Sequence, residues 1–142
     1  MSQTSLRTVI SGSYRRHLRE LYELKQEIEK LGILVLSPVG SAALNPEEEF
    51  VFLDADPIHD KRLLQDSIFA KIRTSSFLVL ANFDGYIGKA AVMEVGYALA
   101  FGLQILSIEP VEDPNIRSYA RLLNEAFPKF QFIKKQELLC KI

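Results

Sequence analysis

The chain has 142 residues, with 17 Lys+Arg against 18 Asp+Glu, a formal net charge of -1, 48% hydrophobic and 25% charged residues. So even a balance argues against sequence-independent DNA or RNA binding, which needs surplus Lys and Arg to displace counterions. Cys140 is the one cysteine and His17 and His59 the two histidines, which excludes an intramolecular disulfide and a thiolate zinc site and makes a His-rich metal site poor. The length suits one domain over residues 1–142. Residues 1–7 lack a signal-peptide core and no run approaches the ~20 apolar residues of a membrane span. The expectation is a cytoplasmic protein without metal or cofactor.

Residues 6–11 carry the β-branched run Thr8-Val9-Ile10 and end in Ser11-Gly12-Ser13, a buried strand entering a turn. Over 15–31, apolar residues recur at Leu18, Leu21, Leu24, Ile28 and Leu31, one helical stripe opposite Glu and Lys, with Gly32 placed to end it. Residues 33–36 read as a second strand, stopped by Ser37-Pro38. The connection 39–57 holds the acidic run Glu47-Glu48-Glu49, then Phe50-Val51-Phe52-Leu53, Asp54 and Asp56. Segments this long are more often functional lids than idle loops, and its apolar centre either anchors it on the body or forms a short element.

Helical spacing returns over 58–73 at Leu64, Ile68 and Ile72. Residues 77–81 are an uninterrupted apolar strand, and 82–88 a loop with Gly85 and Gly88. A helix over 89–101 closes at Gly102, and a fourth strand covers 104–108. The pattern then predicts a helix over 115–126, a fifth strand over 130–133 and a short tail or helix over 134–142. Short, non-alternating apolar strands between helices imply an α/β fold with a parallel sheet covered on both faces. Five strands most simply take the flavodoxin-like (Rossmann-like) order 2-1-3-4-5. Ligands of such sheets bind beyond the carboxyl ends of the strands, near the switch between strands one and three, which selects the loops 11–16 and 82–88.

The helix over 89–101 is apolar around nearly its whole circumference, so burial on most sides, by the sheet and a second subunit, is expected. Glu94 inside it is costly to bury unless paired, protonated or facing a polar cavity. Its position in the first turns of a helix that starts beside the switch point favours the cavity over a wet face or a bridge to an Arg. Gly96 lets this helix approach a strand or a neighbour closely. Asp66 is open between a catalytic role and an i−4 ion pair with Arg62. Asp84 before Gly85 is a common turn pair whose functional case rests on lying at the mouth of the sheet. In Ser11-Gly12-Ser13-Tyr14-Arg15-Arg16, a helix N-terminus, hydroxyls and two cations suit an anion, against the plain alternative of a turn with surface arginines. This turn is neither a GxGxxG fingerprint nor a Walker A loop. His17 and His59 have no partner visible in the sequence and read as surface residues.

At these residues the sequence resembles the nucleoside 2-deoxyribosyltransferase superfamily, including its 2′-deoxynucleoside 5′-monophosphate N-glycosidase branch. Three blocks within residues 8–108 carry the resemblance: Val9-Ile10-Ser11-Gly12-Ser13, Leu64-Gln65-Asp66-Ser67-Ile68, and Asp84-Gly85 followed by Met93-Glu94-Val95-Gly96-Tyr97-Ala98. The resemblance implies a flavodoxin-like sheet with Glu94 as nucleophile at the anomeric carbon. It implies Asp66 as the carboxylate that orients substrate and assists proton transfer to the base, and Asp84 as a further acidic residue at the mouth. Candidate substrate-binding residues are Ser11, Gly12, Ser13, Tyr14 and Arg15 of the first turn and Gly85 and Gly88 of the second. The implied partner is a small nucleoside or nucleotide, and the implied assembly a homodimer or higher homo-oligomer.

Oxocarbenium-like glycosidic cleavage suits these residue types, since a nearby carboxylate stabilises the cation or traps it covalently. Tyr14, Phe83 and Tyr86 are aromatic candidates for stacking on a base. The chain departs from relatives at Lys89, at Thr74-Ser75-Ser76 and in the acidic segment 47–56. A nucleotide-binding sensor without turnover is the competing reading from another class. A phosphoribohydrolase ranks lower, because the chain has Asp84-Gly85-Tyr86-Ile87-Gly88 in place of a Pro-Gly-Gly-x-Gly-Thr loop.

Overall fold

A computed structural model describes residues 5–40, 42–48, 51–56 and 59–132. The first strand, β1 (Arg7–Ser11), runs from an exposed Arg7 into four buried residues and turns through Gly12 into α1 (Tyr14–Glu29). Ser13 caps that helix, its Oγ accepting from Arg16 N at 3.1 Å. Gly12 has to be small, since a Cβ there would meet Leu21 Cδ2 at 2.9 Å and Ala81 Cβ at 3.1 Å. The chain leaves α1 through Gly32 (φ +82°), the left-handed ending its position foretold, and enters β2 (Leu34–Ser37).

The connection beyond β2 both forms an element and anchors itself. Ala43 and Leu53 make an antiparallel bridge, Leu44 N donates to Phe52 O at 2.8 Å, and Val51 and Leu53 are buried. Asp60 caps α2 (Lys61–Arg73), accepting from Leu63 N at 3.0 Å, so the helix starts later than its apolar spacing suggested. Ile58 of the expected helix lies outside the described residues.

Then follow β3 (Phe77–Leu80), a 3-10 turn (Phe83–Gly85), α3 (Lys89–Ala100) and β4 (Gln104–Ser107). The sheet is five-stranded and all-parallel with order β2-β1-β3-β4-β5, a flavodoxin-like arrangement.

The C-terminal third differs from expectation. In place of one helix over 115–126, a single turn α4 (Pro114–Arg117) leads into β5 (Ala120–Leu122) and then α5 (Leu123–Ala126). β5 pairs with β4, Ala120 opposite Ile105 and Leu122 opposite Ser107. Ile116, Ala120 and Leu123 satisfy a helical period, but hydrogen bonding to the open edge of β4 outweighs the small helix preference of three residues. Residues 130–132, expected in the fifth strand, form no strand. Phe130 instead packs its buried ring into the core beside α1 and α5. Ile133 and the tail over 134–142 lie outside the described residues.

The sheet divides the core in two. Ile10, Val79 and Leu106 face α1 and α5, packing on Leu21, Leu24, Ile28 and Leu123. Val9, Leu78, Leu80 and Ile105 face α2, α3 and α4, packing on Ile68, Ile72, Val95, Ala98 and Ile116. This alternation follows from the period of two along each strand. α3 is less enclosed than its composition suggested. Ala91, Glu94, Val95 and Ala98 are buried, while Val92, Met93 and Phe101 are about half exposed. A Cβ on Gly96 would meet no atom within 4 Å, so the close approach expected there is not to a strand of the same chain. Among the described residues no helix is long and apolar enough to cross a membrane.

Candidate functional site

β1 and β3 are neighbours whose following helices, α1 and α3, lie on opposite faces of the sheet, and their carboxyl ends open a cleft at that divergence. A cavity of about 330 Å³ occupies the cleft. Gly12, Ser13, Tyr14 and Arg15 line it from the first turn, and Tyr86, Gly88 and Lys89 from the loop after β3. α2 contributes Leu64, Gln65, Ile68 and Lys71, the end of β2 contributes Ser37, and the long connection contributes Val51 and Asp56.

Glu94 closes the inner wall and is only 7% exposed. Ser11 Oγ donates to its Oε1 at 2.5 Å and Gln65 Nε2 to its Oε2 at 2.9 Å. Burial pushes the carboxyl group above the ordinary carboxylate range, and the two donated hydrogen bonds pull the other way by favouring the charged form. Each oxygen keeps a further lone pair for an occupant of the cavity. Tyr14 shares a 2.9 Å hydrogen bond with Ser37 Oγ, and burial together with the Glu94 charge raises its phenol far above the ordinary value. Tyr22, on the next turns of α1, donates to Val39 O at 2.9 Å and is pushed up to about 12 by burial and by Asp54 and Asp56.

The structure brings Gly12, Ser13, Tyr14, Arg15, Gly88 and Glu94 to one cavity, with Ser11 joined to it through its hydrogen bond to Glu94. Three expected residues stand elsewhere. Asp66 is 57% exposed and lies 4.0 Å from Arg62 Nε, the ion pair that was the alternative reading. Helical phase explains this, since Gln65 flanks the inward stripe of Leu64, Ile68 and Ile72 while Asp66 falls beyond it. Asp84 is 68% exposed and sits 3.6 Å from His17 Nε2, outside the cavity lining. Gly85 forms the exposed tip of the same turn at φ +76°.

His17 corrects its assignment to the surface: its side chain is 13% exposed, edge-on to Phe83 at 5.5 Å and to Tyr86 at 6.5 Å. His59 is exposed, as expected. Of the three aromatic candidates for base stacking, Tyr14 and Tyr86 line the cavity, with Arg16 stacked over the Tyr86 ring at 3.9 Å, whereas Phe83 is core.

Sequence reasoning missed Gln65, Ser37, Asp56 and Lys71. The α2 residues were accessible to a helical projection, because Lys71 stands three and seven positions beyond Ile68 and Leu64 on one face. Ser37 and Asp56 carried no local signal, since contacts distant in sequence bring them to the cleft.

The fold and the cleft define an open α/β protein with a pocket of mixed charge, holding one buried glutamate, at the switch point of its sheet. No protein-family model matches the chain, and no curated protein matches it. A conserved protein from Enterococcus faecalis V583, known from its crystal structure, is similar in fold, with a TM-score of 0.54 and 18% sequence identity. The likeness covers 73% of this chain and 63% of that protein, so the present chain spans under two thirds of its length.

Proposed function

We propose that the protein is an enzyme of the nucleoside 2-deoxyribosyltransferase type, cleaving or transferring at the N-glycosidic bond of a (deoxy)nucleoside or its 5′-monophosphate. The observation that carries this reading is Glu94, a buried carboxylate aimed by Ser11 and Gln65 at a cavity beyond the carboxyl ends of the strands. A Glu94 oxygen attacks the anomeric carbon as the bond to the base nitrogen breaks. The base leaves with the electron pair and takes up a proton from solvent, and water or an acceptor base then displaces the carboxylate, giving up its own proton to solvent. Ser11 and Gln65 hold the carboxylate in one orientation, so little reorganisation accompanies attack. Arg15, Lys89 and the α1 N-terminus place positive charge on the rim, which suits a 5′-phosphate. Asp66 has no part in this scheme, given its place on the outer face of α2.

Incubation with a panel of 2′-deoxynucleosides and their 5′-monophosphates, with and without a free acceptor base, tests the reading by chromatography of the base. Exchange identifies a transferase and release without acceptor a hydrolase. Silence across the panel rejects the enzyme. It would leave the nucleotide-binding sensor, a reading favoured by the absence of Asp66 from the cavity lining.

The outer face of α3 supports self-association as part of the same proposal. Val92, Met93 and Phe101 are half exposed there, and Gly96 between them presents no side chain. A dimer or larger oligomer is the expected result of light scattering coupled to size exclusion. A monomer at high protein concentration would remove this part.

A further inference from the structure

The cavity extends past Glu94 to an end that the cleavage chemistry leaves unassigned. Gln65 touches Glu94, and Lys71 lies six residues further along α2, roughly 9 Å along the helix axis. Asp56 reaches the same end from the connection after β2. Its Oδ2 accepts from Leu53 N at 2.8 Å, which fixes the carboxylate, and its Oδ1 accepts from no group among the described residues. Lys25 nearby is occupied by Pro38 O at 2.7 Å, whereas Lys71 Nζ donates to none of the described residues. Lys71 feels the charge of Asp56, yet the two form no direct ion pair. Two opposite charges thus line the cavity together with the apolar Val51 and Ile68, each with hydrogen-bonding capacity unspent among the described residues.

We propose that Asp56 and Lys71 read the far edge of the leaving base, Asp56 accepting from a ring N–H or exocyclic amine and Lys71 donating to the adjacent carbonyl oxygen or ring nitrogen. This rests on the glycosidic reading above and narrows its substrate class. The preferred nucleosides carry a donor beside an acceptor on the edge opposite the glycosidic bond. A base without that edge leaves a half-buried carboxylate and ammonium unpaired, which is the strongest basis a binding site has for rejecting an analogue.

The test compares each natural 2′-deoxynucleoside or monophosphate with an analogue stripped of that edge, such as purine 2′-deoxyriboside for 2′-deoxyinosine. The wild type is expected to favour the natural member by about 10–100-fold in kcat/KM, because hydrogen bonds to charged groups carry effects of that size. Asp56→Asn keeps an acceptor for Leu53 N but offers the base a donor in place of an acceptor, and Lys71→Met keeps the length without the charge. Each is expected to cut the preference about tenfold while leaving the stripped analogue within about twofold. Circular dichroism checks both variants, and if one fails to fold the other carries the test. An unchanged preference in a folded variant overturns the assignment and leaves the glycosidic reading standing. If the wild type turns nothing over, calorimetric titration with the same pairs decides: edge-dependent affinity weakened in the variants keeps the recognition and rejects the chemistry. Its absence overturns both.

Discussion

Replacing Glu94 with Gln is expected to lower base release or exchange by about 10⁴-fold or more, the scale seen when a residue that forms the reacting bond is removed. The fold survives, and at neutral pH it becomes more stable. The introduced amide retains a partner on each side, because Ser11 Oγ both donates and accepts and the Gln65 amide can rotate to offer its oxygen. The charge, which burial opposes, is gone. The sign follows from linkage. The folded-state pKa of Glu94 lies above its unfolded value, so the carboxyl group's contribution to stability is fully present below the unfolded pKa and is lost as pH rises through the folded one. The Glu94→Gln variant should therefore melt above the wild type at pH 7.5, with the gap closing in acid. The same shift acts on activity in the opposite sense, because only the ionised carboxylate attacks. The acidic limb of kcat/KM should sit above the ordinary carboxylate range. A variant that keeps its activity, or that melts well below the wild type at pH 7.5, would contradict the role assigned to this residue.

Phe83→Ala is expected to cost about 3–5 kcal/mol, a large part of the roughly 5–15 kcal/mol that holds a domain together. Phe83 is fully buried, edge-on to His17 and 5.9 Å from the ring of Phe132. It is also the inner anchor of the turn that precedes the cavity wall. Asp84 occupies the left-handed region (φ 57°), a conformation unfavourable for most side chains, with its N–H donating to Glu109 Oε2 at 2.8 Å. Asn82 ties the same turn to the end of β4, donating to Glu109 O at 2.9 Å and accepting from Ile108 N and Glu109 N. Tyr86 N returns to Phe83 O at 3.1 Å. Loss of the ring leaves a cavity beneath this network, so Tyr86 and Gly88 lose their support along with the core. Urea denaturation measures the first effect, and a rise in KM for whatever substrate the panel identifies measures the second. A midpoint shift worth less than about 1 kcal/mol would mean the turn holds without its anchor.

The parallel sheet and its strand order were legible because strands buried on both faces have a composition of their own. Thr8-Val9-Ile10 and Phe77-Leu78-Val79-Leu80 cannot alternate with polar residues when helices cover each side. Glu94 was legible for the complementary reason. A lone carboxylate in an apolar helix has few places to go, and the strand order placed that helix beside the cleft. Ser11, Gly12 and Ser13 followed from the same topology. Short edge elements were not legible. β5 has three residues, of which Arg121 is exposed, and its identity depends on the open edge of β4 and not on its own pattern.

The sequence by itself determined the layers, the switch point and the one carboxylate that the apolar helix must bury, because burial over whole elements leaves a periodic record in the chain. Only the tertiary structure decided what surrounds that carboxylate. Gln65 in place of Asp66, and Asp56 and Lys71 at the far end of the cavity, depend on a helix's rotation about its axis and on a long connection folding back over the sheet. Rotation and return are set by packing between residues far apart in the chain, and no local period encodes them.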